Sequence, residues 1–311
     1  MSSSTRIRKA VIPAAGLGTR MLPVSKVVPK ELLPLGGKPI IQYAIEEAVA
    51  SGIEEIVVVT GPRKSWLENF LTEVPECLST TRGTNKDTKG EFPEALSSGV
   101  RIVVVQQMKP LGLGDALLCA QPVVGETPFA IILPDAVIDA ADPPLSQLIR
   151  AYMALPGAFV ATQPVEPRDF ARFGILSFKT TVDSCGTALP VPVLSIAEKP
   201  IASEAPSNFG VFGRYLLTPE IFTDLKRVAA TAKGEIQLTE ALAIYCQRNP
   251  VYALVFKGKH YDTGDPIGYL QAVVEFALKD SASGPLVRDY LTGLSNLILE
   301  ESAVAAIPDQ G

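Results

Sequence analysis

Apolar positions in the first half of the chain follow two alternating patterns. Short continuous runs at 9–13, 56–59, 102–105 and 129–133 have the length and the Val/Ile content of buried strands. Between them, residues 40–50 place Ile41, Ala44, Ile45, Ala48 and Val49 at helical spacing, with Gly52 as a stop just beyond. Strands that lack polar alternation and are separated by helices imply a mostly parallel sheet covered on both faces, so the expected class is α/β. Further strands are expected at 158–162, 174–178, 193–197 and 209–217, and helical patterns dominate after Pro219. Among these, 267–278 carries Leu270, Val273, Val274 and Ala277, and the tail carries Leu291, Leu294, Leu297 and Ile298 at helical spacing, as core or as interface. No repeat is visible and Pro and Gly do not cluster into a linker. One catalytic domain over 1–280 with a helical tail over 281–311 is expected. Residues 79–99 open with a stretch of almost no apolar content and read as an exposed loop.

Composition narrows the class. A chain of 311 residues buries a large core without disulfide or metal staples. No apolar run approaches the roughly 18 residues a membrane helix needs. Arg6, Arg8 and Lys9 precede an apolar stretch, as in a signal peptide, but 10–16 is short and broken by Pro13 and Gly16, so a cytoplasmic protein is expected. A net charge of -5 argues against nucleic-acid binding, yet a local cluster of cations can still hold a small anion. Cys77, Cys119, Cys185 and Cys246 are isolated, which suggests neither a zinc site nor a disulfide framework. The single histidine, His260, lacks any supporting catalytic motif and is expected at the surface.

The most informative segment is the glycine-rich turn after the first strand, Gly16-Leu17-Gly18-Thr19-Arg20-Met21-Leu22-Pro23, which continues to Lys26, Pro29, Lys30, Glu31 and Pro34. Such a turn can present backbone N–H groups to phosphate. A dinucleotide fingerprint needs a third glycine opening a helix, but Met21 stands there and three prolines forbid a regular helix. A Walker P-loop sequence is absent. What remains is a phosphate-wrapping loop with its own cations, because Arg20, Lys26 and Lys30 fall within eleven residues of an acidic chain.

This segment resembles the nucleotidyltransferase signature of bacterial UTP–glucose-1-phosphate uridylyltransferases, within the sugar nucleotidyltransferase family. Seven further blocks agree in order: Gly112-Leu113-Gly114, Leu133-Pro134-Asp135, Glu198-Lys199-Pro200, Ala205-Pro206-Ser207-Asn208, Gly213-Arg214-Tyr215, 234–239 (GEIQLT) and Tyr261-Asp262-x-Gly264. The resemblance implies a Rossmann-like, glycosyltransferase-A-like mixed sheet flanked by helices. It also implies UMP transfer from UTP to glucose 1-phosphate, giving UDP-glucose and pyrophosphate, with Mg2+ as cofactor. A homo-oligomer is expected, and no nucleic-acid or membrane partner. The same chemistry with dTTP or another sugar 1-phosphate stays open, as does a silent paralog that binds UDP-sugar. A sugar phosphate is largely dianionic near neutral pH, with a second pKa of ~6, so neither a protein nucleophile nor a strong base is required. Positioning and charge neutralisation are the catalytic task.

Carried onto this chain, the resemblance assigns catalytic roles to Arg20, Lys30 and Lys199. The nucleotide would be held by Ala15, Gly16, Gly18, Thr19, Lys26, Gln107 and Gly112, and the sugar by Gly174, Glu198 and Asn208. Asp135 and Asp262 would hold the metal. Gln106 and Gln107 are adjacent on a strand, so only one can face the site, and the family spacing favours Gln107. Several positions depart from the pattern. Asp115 stands where close relatives carry His; it could cap a helix starting at Ala116, repel phosphate or alter the base pocket. Ala136 stands where some relatives have a second acid. Thr263 and Pro266 replace the usual Cys and Lys, and the segment between Gly61 and Val100 is shorter and more polar than usual.

Overall fold

The protein is described by a computed structural model covering residues 6–72, 99–179, 190–231 and 234–305. Cys77, Cys185 and almost all of the expected loop at 79–99 lie outside the described residues. In chain order the strands are β1 (Lys9–Pro13), β2 (Pro34–Leu35), β3 (Lys38–Pro39), β4 (Glu55–Thr60), β5 (Arg101–Gln106), β6 (Phe129–Ile132), β7 (Ala136–Asp139), β8 (Ala158–Pro164), β9 (Gly174–Phe178), β10 (Val191–Glu198), β11 (Phe209–Leu217), β12 (Val251–Val255) and β13 (Lys259–Asp262). The helices are α1 (Ile40–Ala50), α2 (Ser65–Thr72), α3 (Leu113–Val124), α4 (Pro144–Ala154), α5 (Ile221–Thr231), α6 (Leu238–Tyr245), α7 (Pro266–Lys279) and α8 (Gly284–Ala305).

Nine strands form one sheet in the order β5-β4-β1-β6-β11-β8-β12-β10-β9. The first four run parallel, as their unbroken apolar runs require, and β8 and β12 are also parallel. β11 runs antiparallel to β6 and β8, and β10 pairs antiparallel with β12 and β9. Side chains alternate across the sheet. Val11, Val57, Ile131 and Val160 face a core shared with α3, α5 and α6. Ala10, Ile12, Ile56, Val58, Ile132 and Phe159 face a second core shared with α1, α2 and α4. A third cluster, Leu33, Leu35, Ile40, Val137, Tyr261 and Ala272, seats α7 against the loop region.

The helical expectation after Pro219 holds for α5 to α8 but misses β12 and β13. β13 pairs antiparallel with β7 in a separate two-stranded ribbon, with Asp262 opposite Ala136. The ribbon is too short to stand out in the apolar pattern, and its pairing spans more than a hundred residues, so no local window contains it. It has a functional consequence: it sets Asp262 beside Asp135.

Candidate functional site

The parallel strands β1, β4, β5 and β6 all end on one edge, where the ligand crevice of an open α/β sheet lies. Their carboxyl ends deliver Ala14 to Gly18, Gly61, Gln107 and the segment Leu133 to Asp135 to that edge. A cleft of about 510 Å³ opens there, within the usual size range for ligand sites. Ala15, Gly16, Gly18, Thr19, Arg20, Lys30, Gln107, Gly112, Asp135, Gly174, Glu198, Lys199 and Asp262 all line it. Lys26 and Asn208 do not. Lys26 is exposed, and Asn208 uses its backbone carbonyl to accept from Val165 N at 2.8 Å.

The prolines divide the glycine loop into three single 3-10 turns, at Thr19–Met21, Val24–Lys26 and Lys30–Leu32. Gly18, at φ +65°, occupies the left-handed region, and its carbonyl accepts from Ser25 Oγ at 2.7 Å, which folds the loop back on itself. Beneath the loop Lys64 Nζ donates to Ala14 O at 2.6 Å and to Glu31 Oε2 at 2.7 Å. Burial pushes the Lys64 ammonium down, and Glu31 offsets only part of that. This pair ties the first residues of the loop to its last turn and so fixes Lys30 relative to Ala15; nothing in the local sequence announced it.

Ion pairs fill the anion end of the cleft. Lys30 Nζ lies 2.5 Å from Asp135 Oδ2. Burial alone would lower the Lys30 ammonium, but Asp135 and Glu31 outweigh it and leave it above the ordinary lysine range. Burial alone would likewise raise the Asp135 carboxyl, but Lys30 beside it holds it below the usual range. Arg172 Nη2 donates to Asp262 Oδ2 at 2.9 Å, and Arg20 Nη1 stands 3.8 Å from the same oxygen. Arg172 also lines the cleft and was not expected there from sequence. A Cβ on Gly264 would stand 2.8 Å from Asp135 Oδ2 and 3.3 Å from Asp262 Oδ1, so the two carboxylates flank one point. Hard divalent cations take such oxygen ligands, completed by substrate phosphate and water, and the pair therefore fits one.

On the opposite wall β9 and β10 pair Gly174 with Glu198. Glu198 Oε2 accepts from Thr239 Oγ1 at 2.9 Å, and Lys199 Nζ lies 3.1 Å from Glu198 Oε1. Lys199 is the one non-glycine residue with positive φ among the described residues, at +44°, and its N–H donates to Phe173 O at 3.1 Å. A lysine held in that strained region at a cleft wall is a feature of functional sites.

The end of the cleft beside Gln107 is built by a clasp. Ile236 N donates to Leu111 O at 2.7 Å and Gly114 N donates to Ile236 O at 2.8 Å, which joins 234–237 to the start of α3 and places Glu235 and Gln237 on the cleft wall. Gln107 is buried and lines the cleft, whereas Gln106 turns outward to Glu68 at 3.0 Å. Asp115 does not cap a helix at Ala116. The helix starts at Leu113, Asp115 lies in its first turn, and its Oδ2 accepts from Gln107 Nε2 at 2.8 Å. His260 is half-buried in the cleft rather than on the outer surface. It lines the cleft, with its ring packed on Phe212 at 4.7 Å and Phe173 at 6.0 Å, and burial pushes its imidazole down to about 4.

Residues 9–278 match the family model described as Nucleotidyl transferase. The chain belongs to that family. It is 38% identical over 291 residues to the UTP–glucose-1-phosphate uridylyltransferase of Bacillus subtilis, covering 94% of this chain and 98% of that one. It is equally 38% identical over 294 residues to the enzyme of the same name from Escherichia coli K12, covering 93% and 96%. Among solved structures, a UDP-glucose pyrophosphorylase complexed with UDP-glucose superposes with a TM-score of 0.76 at 34% identity, covering 88% and 100%. A UTP-bound UGPase from Acinetobacter baumannii gives 0.78 at 34% identity, covering 94% and 99%. The nucleotidyl transferase assignment agrees with the sheet and with the crevice at its strand ends. No helix among the described residues is long and apolar enough to cross a membrane.

Proposed function

We propose that this nucleotidyl transferase moves UMP from UTP to glucose 1-phosphate, releasing pyrophosphate and forming UDP-glucose. The observation that carries the reading is that Arg20, Lys30, Lys199, Asp135 and Asp262 share one cleft with Gln107 at its base end. The sugar phosphate attacks the α-phosphorus in line, so the protein must bring two anions together and stabilise the charge that develops. Arg20 and Lys30 serve the triphosphate and the leaving pyrophosphate. Lys199 serves the phosphate of the sugar substrate, and Glu198 and Gly174 face its hydroxyls. Asp135 and Asp262 would hold Mg2+, which neutralises phosphate charge when bound. Each of these cations is paired with a carboxylate, which for the largely buried Lys30 offsets the cost of burying its charge; substrate phosphate would take the place of the carboxylate on binding.

Residues 1–280 form the catalytic unit in this reading, and the tail at 281–311 serves assembly. Its helix α8 packs along α7 and exposes Leu286, Tyr290, Leu294 and Leu297, while α7 exposes Ile267 and Leu270, apolar surface that a homo-oligomer would cover. UTP and sugar phosphates are metabolites of the cytoplasm, where the protein is expected to act. The test is pyrophosphate release across UTP, dTTP, CTP, ATP and GTP with a panel of sugar 1-phosphates, in Mg2+ and in EDTA. Metal-dependent release with UTP and glucose 1-phosphate, lost in Lys199→Ala, supports the reading. Preference for another pair moves the specificity, and silence across the panel from protein that still binds UDP-glucose refutes the enzyme.

A further inference from the structure

The amide of Gln107 has a fixed orientation. Its Nε2 lies 3.0 Å from Gly112 O and 2.8 Å from Asp115 Oδ2. A carbonyl and a carboxylate can only accept, so the amide atom facing both must be the NH2, and its two hydrogens are both committed. Oε1 is left with no protein partner among the described residues, on a side chain that lines the cleft. The Gly112 carbonyl is itself held in place. Gly112 has φ +94°, and a Cβ there would meet Glu235 Cβ and Ile236 O at 2.9 Å, so the clasp leaves this turn no room to shift. Asp115 is half-buried on the first turn of α3 and is not among the residues lining the cleft, so its contact with the cleft wall runs through Gln107.

We propose that Asp115 is a positioning residue for base selection: by holding the Gln107 NH2, it presents Oε1 to the base as an acceptor, which selects pyrimidines bearing an N3–H and rejects cytosine. The inference rests on the uridylyltransferase reading. Uracil and thymine carry a hydrogen on N3, which donates to Oε1. Cytosine carries a lone pair there, which faces the lone pairs of Oε1. Cytosine could be accepted only if the amide turned over, and Oε1 would then be forced against Gly112 O and the Asp115 carboxylate, with both N–H bonds lost. A buried acceptor set against other acceptors carries the full cost of an unmade hydrogen bond.

The experiment measures kcat/KM for UTP and for CTP at saturating glucose 1-phosphate in wild type, Asp115→Asn and Asp115→Ala. The asparagine variant keeps the shape, and its own NH2 can satisfy a turned-over Gln107 Oε1, so it decides the matter even if the alanine variant folds poorly. The UTP-to-CTP preference is expected to fall by about ten-fold or more in both variants, the low end for losing a hydrogen bond to a charged group. A residue with a merely structural role would lower both nucleotides in proportion. An unchanged preference in correctly folded variants overturns the proposal, and so does a wild type that uses CTP as well as UTP. A wild type that leaves UTP unused with glucose 1-phosphate overturns the uridylyltransferase reading itself, and this proposal with it.

Discussion

The buried pair between α1 and β11 offers the sharpest energetic test of the fold. Arg214 is 2% exposed, and its Nε donates to both Glu47 oxygens at 3.1 Å while Nη2 donates to Oε2 at 2.8 Å. Its Nη1 donates to Leu133 O at 3.1 Å, two residues before Asp135, so the pair also supports the end of β6 from which the carboxylate projects. Glu47→Ala leaves a guanidinium in the interior that cannot shed its proton. Breaking a buried pair in this way costs about 3–5 kcal/mol. A side cavity of about 210 Å³ touches both Glu47 and Arg214, so water can reach the orphaned charge, which points to the lower end of that range. For a chain of this size about 3 kcal/mol corresponds to a fall in Tm on the order of 6 °C. Glu47→Leu combined with Arg214→Met removes both charges. Leu133 O then keeps its contact from Ala136 N at 3.3 Å, but Leu145 N loses its 3.1 Å acceptor, Glu47 Oε1, so the double variant is expected to recover part of the loss and stay about 1–2 kcal/mol below wild type. Urea unfolding of the wild type, Glu47→Leu, Arg214→Met and the double variant reads the coupling. Strict additivity, or a single-variant cost below about 1 kcal/mol, would refute the argument that this buried pair is held by mutual neutralisation.

Two further expectations concern pH and packing. His260 is neutral when folded, with its imidazole pushed down to about 4 by burial, against about 6.5 when unfolded, so the unfolded chain takes up the proton first as pH falls. Stability should therefore decline from about pH 6.5 down to the folded value, by on the order of 3 kcal/mol, and His260→Asn should flatten that limb in a pH series of thermal unfolding; an unaltered limb would show that the ring is solvated. Gly114→Ala puts a Cβ 2.6 Å from Ile236 Cγ2 and 2.7 Å from Ile236 O, so it should open the clasp at a cost of about 1–3 kcal/mol and raise KM for the nucleotide more than for glucose 1-phosphate, as bisubstrate kinetics would report.

Much of this protein could be read directly from the chain, because the signals are local. The runs at β1, β4, β5 and β6 are continuous apolar segments, and such a segment is stable only when both of its faces are covered, which implies parallel strands under helices. The prolines after Gly18 exclude a helix whatever the rest of the molecule does, and Arg20 and Lys30 bring cations to the strand end where phosphate binds. The family blocks placed most of the cleft wall before any contact was known. Other features depend on pairings across long stretches of chain. β7 and β13 set Asp262 beside Asp135, and only that ribbon brings Arg172 onto Asp262 and buries His260 against Phe212. Lys26 lies in the same cationic segment as Lys30, yet it is exposed and does not line the cleft. The sequence leaves Asp115 open between a helix cap, a phosphate-repelling charge and a change to the base pocket, because it carries no record of where the Gln107 amide sits. Hydrophobic periodicity states which face of an element is buried, but a polar side chain's role is set by the direction and distance of its partner, and those exist only once the sheet has chosen its register.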